Sequence, residues 1–152
     1  MNTIIDSIMS GVVATVVMTL FLWLLHYTGM VNADMPRAIG GIFTRSSDNA
    51  LVVGTVLHFI AGIVFGFVYI AIWSLFDLDT TLLLFTGAIL GAGHGLVVSF
   101  ALIIFIAERH PLEQFQSAGF EVAVAHLVAH VIYGIVLAAM VASTGVSIPL
   151  PT

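Results

Sequence analysis

Four histidines of this chain, His58, His94, His126 and His130, lie inside long apolar stretches. His126 and His130 are four residues apart in the segment HLVAHVIYG, so a helix would place both imidazoles on one face. No charged residue follows Glu121, and the surrounding segment is therefore typical of a membrane span. Titratable side chains are rare in such spans because burying them is costly, and their presence indicates a functional site.

Converging imidazoles are suited to binding a metal ion or a haem. Neutral imidazole is the commonest nitrogen ligand for zinc, copper and iron, and haem b needs two axial imidazoles from different helices at similar depth. A helical rise of about 1.5 Å per residue places His58 and His126 at a depth of about 12 Å, and His94 and His130 at about 18 to 20 Å. The sequence therefore predicts a site for haem b or for copper, zinc or iron, with these four histidines as ligands.

Other residues are expected to support this site. A ligating imidazole usually donates its second N–H to a partner, and Tyr69, Tyr133 and Glu121 are the candidates. Glycines at helical spacing admit a macrocycle or let a neighbouring helix approach closely, and the second function is the commoner one. These glycines are Gly62, Gly66, Gly87, Gly91, Gly95 and Gly134.

Two alternatives remain open. A neutral histidine can hydrogen-bond a backbone carbonyl or a hydroxyl across a helix interface, worth about 1 kcal/mol, and bind no cofactor. The chain would then be a structural or assembly subunit that packs through its glycines. A small transporter or proton path is the second alternative, although the outer half of the bundle supplies almost no polar residues. His26 and His110 lie at membrane edges and are expected to be solvated.

Composition identifies the class of protein. The chain has 152 residues, of which 61% are hydrophobic and 7% charged, whereas soluble domains carry about 25% charged residues. The charged residues leave four uncharged gaps, 7–33, 49–76, 80–107 and 122–152, each longer than the roughly 20 residues that cross a bilayer as a helix. We predict one integral membrane domain over residues 1–152, with spans at about 7–30, 50–76, 81–107 and 118–142.

The predicted fold is all-α: a polytopic membrane protein with an antiparallel bundle of four transmembrane helices. The short connection from Asp77 to Thr80 predicts that the second and third spans are antiparallel neighbours. Residues 31–49 resemble a loop with a short interfacial turn. HFIAGIVFG (58–66) and HLVAHVIYG (126–134) share His, Ala and Gly at three matching positions. This match fits a parallel 2+2 internal repeat, and equally a chance alignment of apolar helices.

The charged residues also predict orientation. Arg37, Arg45 and Arg109 follow the first and third spans, so the positive-inside rule places those loops in the cytoplasm and both termini outside the cell membrane. Without cysteine there is no disulfide or thiolate ligand, and a net charge of −5 without lysine excludes nucleic acid as a partner. The sequence has no order of Ser, His and Asp that suggests a hydrolase, no HExxH motif and no phosphate-binding loop. An enzyme acting alone is therefore not expected.

Several short motifs are similar to those of a known group. ATVVMT, ADMPRAIG, HFIAGIVFGFVY, GAGHG and HVIYG resemble the YagU-like group of small four-helix membrane proteins. The resemblance implies the fold and an inner-membrane location, and it implies no reaction and no ligand for any histidine. Because the chain has almost no extramembrane mass, we predict a metal- or haem b-binding accessory or electron-transfer subunit. Its expected partners are lipid and either other membrane subunits or further copies of itself.

Overall fold

The computed structural model describes residues 3–101, 107–116 and 119–148. Within these ranges every regular element is helical, and four helices are long and apolar enough to cross a membrane. The elements are α1 (Thr3–Tyr27), α2 (Met35–Thr44), α3 (Ala50–Trp73), α4 (Thr80–Ala101), two 3₁₀ turns (Ala107–Arg109 and Glu113–Phe115) and α5 (Phe120–Thr144). The predicted all-helical membrane fold is confirmed.

The ends of the spans are set by local hydrogen bonds. The predicted first span reaches Met30, but α1 ends at Tyr27, because Gly29 adopts a φ of +71° and its N–H donates to the His26 carbonyl at 3.0 Å. The carboxylate of Asp79 accepts the N–H of Leu82 at 2.8 Å and so caps the start of α4.

The predicted second and third spans were too long at their ends. α3 ends at Trp73, and Ala107 lies in a 3₁₀ turn rather than in α4. The remainder of the predicted third span, 102–106, and the predicted start of the fourth span, 118, lie outside the described residues.

The predicted loop over residues 31–49 was wrong, because its centre is a ten-residue helix, α2. The Asp34 carboxylate accepts the backbone N–H of Arg37 at 3.2 Å and its Nε at 3.0 Å, and Pro36 occupies the first turn. Capping by Asp and proline in the first turn are helix-start signals that the sequence contained. The helix ends where Arg45 adopts a left-handed conformation and donates to the Gly41 carbonyl.

α5 is the most buried of the four spans, and it packs against both α1 and α4. α1 also packs against α3, while α2 folds back onto the first turns of α3. The α2–α3 crossing depends on Gly40 and Gly54: a methyl group at either position would overlap a backbone carbonyl of the other helix. We call the end where α1 and α4 end and α3 and α5 begin the loop side, and the end with the α3–α4 connection the turn side.

α3 and α4 were predicted to be antiparallel neighbours, but their backbones stay apart. Large side chains join them instead. Trp73 Nε1–H donates to the Thr86 hydroxyl at 3.0 Å, and the ring centroids of Phe65 and His94 are 4.0 Å apart. A parallel repeat would make this pair equivalent to the closely packed α1–α5 pair. The described helices depart from that symmetry, and the internal repeat stays a prediction.

Candidate functional site

All four intramembrane histidines line one cavity in the loop-side half of the bundle. Its volume is about 150 Å³, and apart from the imidazoles its walls are mostly apolar. We call it the histidine cavity. The residues that line it are Met18, Leu22, Met35, Ile39, His58, Ala61, Gly62, Phe65, His94, Val98, His126, His130 and Tyr133.

The two histidines of α5 share one hydrogen-bonding pattern. His126 Nδ1 lies 2.7 Å from the carbonyl oxygen of Val122, and His130 Nδ1 lies 2.7 Å from the carbonyl oxygen of His126. Because a carbonyl oxygen only accepts, Nδ1 carries the hydrogen in each ring and Nε2 keeps its lone pair. His126 is only 2% exposed, and its Nε2 is buried without a hydrogen-bond partner. In both rings Nε2 is therefore the nitrogen able to ligate a metal.

His94 of α4 lies directly against His130. The two ring centroids are 4.6 Å apart and the planes cross at 68°. His94 Nδ1 is 3.3 Å from the Tyr69 hydroxyl, as expected for a tyrosine that supports an imidazole. The sequence pairing of His94 with His130 by depth thus corresponds to a real contact.

His58 of α3 is the fourth imidazole. Its Nε2 lies 3.1 Å from the hydroxyl oxygen of Thr19, which donates its own hydrogen to the Thr15 carbonyl at 2.7 Å. The threonine oxygen must therefore accept from Nε2–H, which leaves the lone pair on Nδ1. Thr19, one helical turn after Thr15 on α1, was not among the predicted site residues.

The remaining predicted supporting residues, Tyr133 and Glu121, make no hydrogen bond to an imidazole among the described contacts. Tyr133 is buried in the wall of the histidine cavity, but its hydroxyl donates to the Gly62 carbonyl at 2.6 Å and so supports the backbone of α3 rather than an imidazole. Glu121 is exposed at the start of α5 and lines a second cavity together with His126.

The expectation that His110 is solvated was wrong. His110 is 2% exposed, Leu112 N–H donates to its Nδ1 at 3.0 Å, and its Nε2–H donates to the Ala38 carbonyl at 2.9 Å. His110 therefore joins the 107–116 segment to α2, and the Ala38 carbonyl accepts the hydrogen bond that water was expected to accept. His26 is half-buried, with a buried Nδ1 that has no hydrogen-bond partner.

The predicted glycines lie in helix contacts. Gly87, Gly91 and Gly95 of α4 face α5, where a methyl group at Gly91 would overlap the His130 carbonyl and one at Gly134 would overlap the Gly87 carbonyl. On α3, Gly62 meets Thr15 and Gly66 meets Gly11 of α1. The α4 glycines bring His94 against His130, because backbones this close leave the neighbouring side chains within contact distance.

The chemistry open to this site follows from its donors. Among residues 3–101, 107–116 and 119–148, no group of three or more His, Cys, Asp or Glu side chains is placed to hold one metal ion. A closed four-ligand zinc site of those residue types is thus not formed there. The cavity is also smaller than the roughly 300 Å³ at which pockets for drug-sized ligands begin. A single ion of low coordination number fits this space better than a haem.

The profile of a family of unknown function, DUF6789, matches residues 1–147. The chain belongs to this family. No curated protein and no solved structure matches it. The resemblance to the YagU-like group stays a prediction, because none of these comparisons bears on it.

Proposed function

We propose that this DUF6789 protein binds a transition metal ion through imidazole nitrogens in the histidine cavity. The observation that carries the proposal is His126, which lines that cavity and whose Nε2 is buried without a hydrogen-bond partner. Buried polar atoms are almost always paired in native proteins, so an unpaired imidazole nitrogen beside other imidazoles in one cavity is a candidate ligand. His130 presents the same nitrogen one helical turn further along.

Copper, zinc and iron remain the candidate metals, because imidazole suits all of them. Haem b is the weaker alternative, since His94 and His130 already contact each other directly and the cavity is small. The role we propose is that of an accessory or electron-transfer subunit in a membrane complex, because most of the described residues belong to the four membrane helices.

The first test is element-resolved metal content per polypeptide, on protein purified in mild detergent without a metal-affinity resin. We expect near-stoichiometric copper, zinc or iron in the wild type. His126→Ala and His58→Ala should lose the metal, whereas His26→Ala, a matched change outside the histidine cavity, should retain it. Equal retention in all three variants, or no metal in folded wild-type protein, would reject the proposal.

A cofactor-free structural subunit is the second candidate, and specific contacts favour it. Each of the four imidazoles already makes a hydrogen bond within the bundle, and glycines allow close helix contacts at the α4–α5 and α1–α3 interfaces. Two results together would support this function. The folded protein would contain no metal, and its oligomer size in detergent would change when a residue on the outer surface of the bundle is replaced.

We also propose that the protein lies in the inner membrane with both termini outside. The three arginines support this orientation, because they belong to the loop side of the bundle. Since the chain has no cysteine, Ser147→Cys and Glu113→Cys give clean single-thiol probes. An impermeant thiol reagent added to intact cells should label Ser147→Cys and not Glu113→Cys, and the reverse pattern would invert the topology.

A further inference from the structure

The histidine cavity adjoins other cavities on the loop side. A cavity of about 210 Å³, lined by residues of the α1–α2 connection and of the 107–116 segment, shares Met35 and His126 with the histidine cavity. We call it the middle cavity. An outer cavity of about 270 Å³ shares Asn32, Asp34 and Gln114 with the middle one. Three cavities that share lining residues thus lie in series between the loop-side surface and His126.

The chemistry of the walls changes along this series. The outer cavity is mostly polar, with Asp34 and Arg37 in its wall, whereas the histidine cavity is apolar apart from its imidazoles. Polar walls can replace the water around an arriving ion, and apolar walls cannot. An ion would therefore lose its hydration shell in steps on its way to His126.

Methionine side chains occur along the inner part of the series. Met30 lines the middle cavity, Met35 lines both the middle and the histidine cavities, and Met18 lines the histidine cavity. Met18 and Met35 are 4% and 8% exposed. Thioether sulfur is a soft ligand that selects Cu⁺, whereas Zn²⁺ is bound in proteins mainly by thiolate, imidazole and carboxylate. These methionines were not predictable as ligands from the sequence, because nothing in their spacing distinguishes them from core residues.

The turn side of the histidine cavity is filled. Tyr69, Ile70, Trp73 and Leu137 are at most 4% exposed and belong to one packed core. The cavity that adjoins the histidine cavity lies on the loop side, and access from one side suits a subunit that receives an ion better than a channel.

Building on the metal site proposed above, we propose that these cavities form a one-sided access path for Cu⁺. The ion would move from the thioether of Met30 to that of Met35, and then to Met18 and the imidazoles of the histidine cavity, His58 and His126 among them. Cu⁺ changes ligands along the path and neither gains nor loses an electron.

The ligand chemistry is tested with metal-free protein, to which Cu⁺ is supplied anaerobically from a chelator buffer or Zn²⁺ is supplied alone. Met35→Leu keeps an apolar side chain of similar volume and removes the sulfur. It should slow Cu⁺ uptake by about tenfold or more, the scale of changes next to a metal site, and leave Zn²⁺ uptake unchanged. Met9→Leu is the matched control, because Met9 is exposed on α1 and lines none of these cavities.

The route is tested with single cysteines. Gln114 lines the outer and middle cavities, and Ser147 lies beyond the end of α5 on the turn side. A bulky thiol reagent on Gln114→Cys should slow the uptake of both ions without changing the amount bound at equilibrium, and the same reagent on Ser147→Cys should change neither.

The outcomes separate the two proposals. Metal bound at equilibrium, with the same Cu⁺ uptake rate in Met35→Leu as in wild type, overturns the role of the thioethers. Unchanged uptake after modification of Gln114→Cys overturns the path, while the metal site stands. If folded wild-type protein binds neither Cu⁺ nor Zn²⁺, the metal site itself is rejected.

Discussion

The α4–α5 and α3–α4 contacts differ in the size of the residues between the helices. Glycines of α4 bring its backbone against that of α5, whereas Phe65, Tyr69 and Trp73 of α3 reach across to α4 with their rings while the backbones stay apart. In a membrane, where lipid offers helices no hydrophobic reason to associate, packing distance follows residue size at the contact. The comparison indicates that the glycines fix the positions of the imidazoles, and that the wider separation leaves room for the cavity.

The largest effect is expected from filling the close α4–α5 contact. Gly91→Leu would place a side chain against the carbonyl of His130, and it should lower the free energy of unfolding by about 3 kcal/mol, the upper end for overpacking. Gly93→Leu is the control on the same helix, because nothing lies within 4 Å of that position. The measurement is the melting temperature in detergent.

Equal melting of Gly91→Leu and wild type would contradict the close contact. Loss of stability in both variants would indicate a general intolerance of leucine in α4 rather than a contact with α5.

A smaller effect is expected at Tyr133, which connects α5 to α3 across the bundle. Tyr133→Phe removes the hydroxyl that donates to the Gly62 carbonyl at 2.6 Å. The expected loss is about 1.5 kcal/mol, near the maximum for hydrogen bonds between membrane helices, because this bond is short and fully buried. Tyr27→Phe should have no effect, since Tyr27 is 78% exposed. Chemical denaturation in mixed micelles would measure both, and equal stability of the two variants would argue against the bond.

The smallest effect is expected at the wider α3–α4 contact. Thr86→Val removes the hydroxyl that accepts from Trp73 Nε1–H at 3.0 Å. It should cost about 0.6 kcal/mol, the average for side-chain hydrogen bonds between membrane helices. Thr55→Val is the matched control, because the Thr55 hydroxyl bonds only to the Leu51 carbonyl of its own helix. Unfolding free energies of the two variants give the comparison, and a loss at Thr86 larger than that at Gly91 would reverse the order of the two contacts.

The fold followed from the sequence because membrane spans depend mainly on the length of an apolar run. Each uncharged gap was long enough for a helix, and all four spans exist. Their exact ends were less predictable, because they depend on single hydrogen bonds such as that from the Leu82 N–H to the Asp79 carboxylate. α2 was not predicted, although Asp34 and Pro36 are signals of a helix start. Its glycines are also typical of loops, and only the close crossing with α3 explains them within a helix.

The candidate site was predictable in part. Four titratable residues in apolar helices were recognisable as a candidate site, because burying such side chains in a membrane is costly. Helical spacing placed His126 and His130 on one face. Spacing along one helix says nothing about other helices, so the donation from His58 to Thr19 and the burial of His110 under α2 were not predictable. The methionines of the access path were not predictable for the same reason.

The sequence by itself determined the number of spans, the class of protein and the positions of the imidazoles and glycines, because these depend on local composition and helical periodicity. Only the tertiary structure decided which helices approach closely, which ring nitrogens keep a lone pair, and that all four histidines share one cavity. Those features arise from contacts between residues far apart in the chain, such as Gly91 with His130 and Tyr133 with Gly62. Such contacts form only when the helices pack.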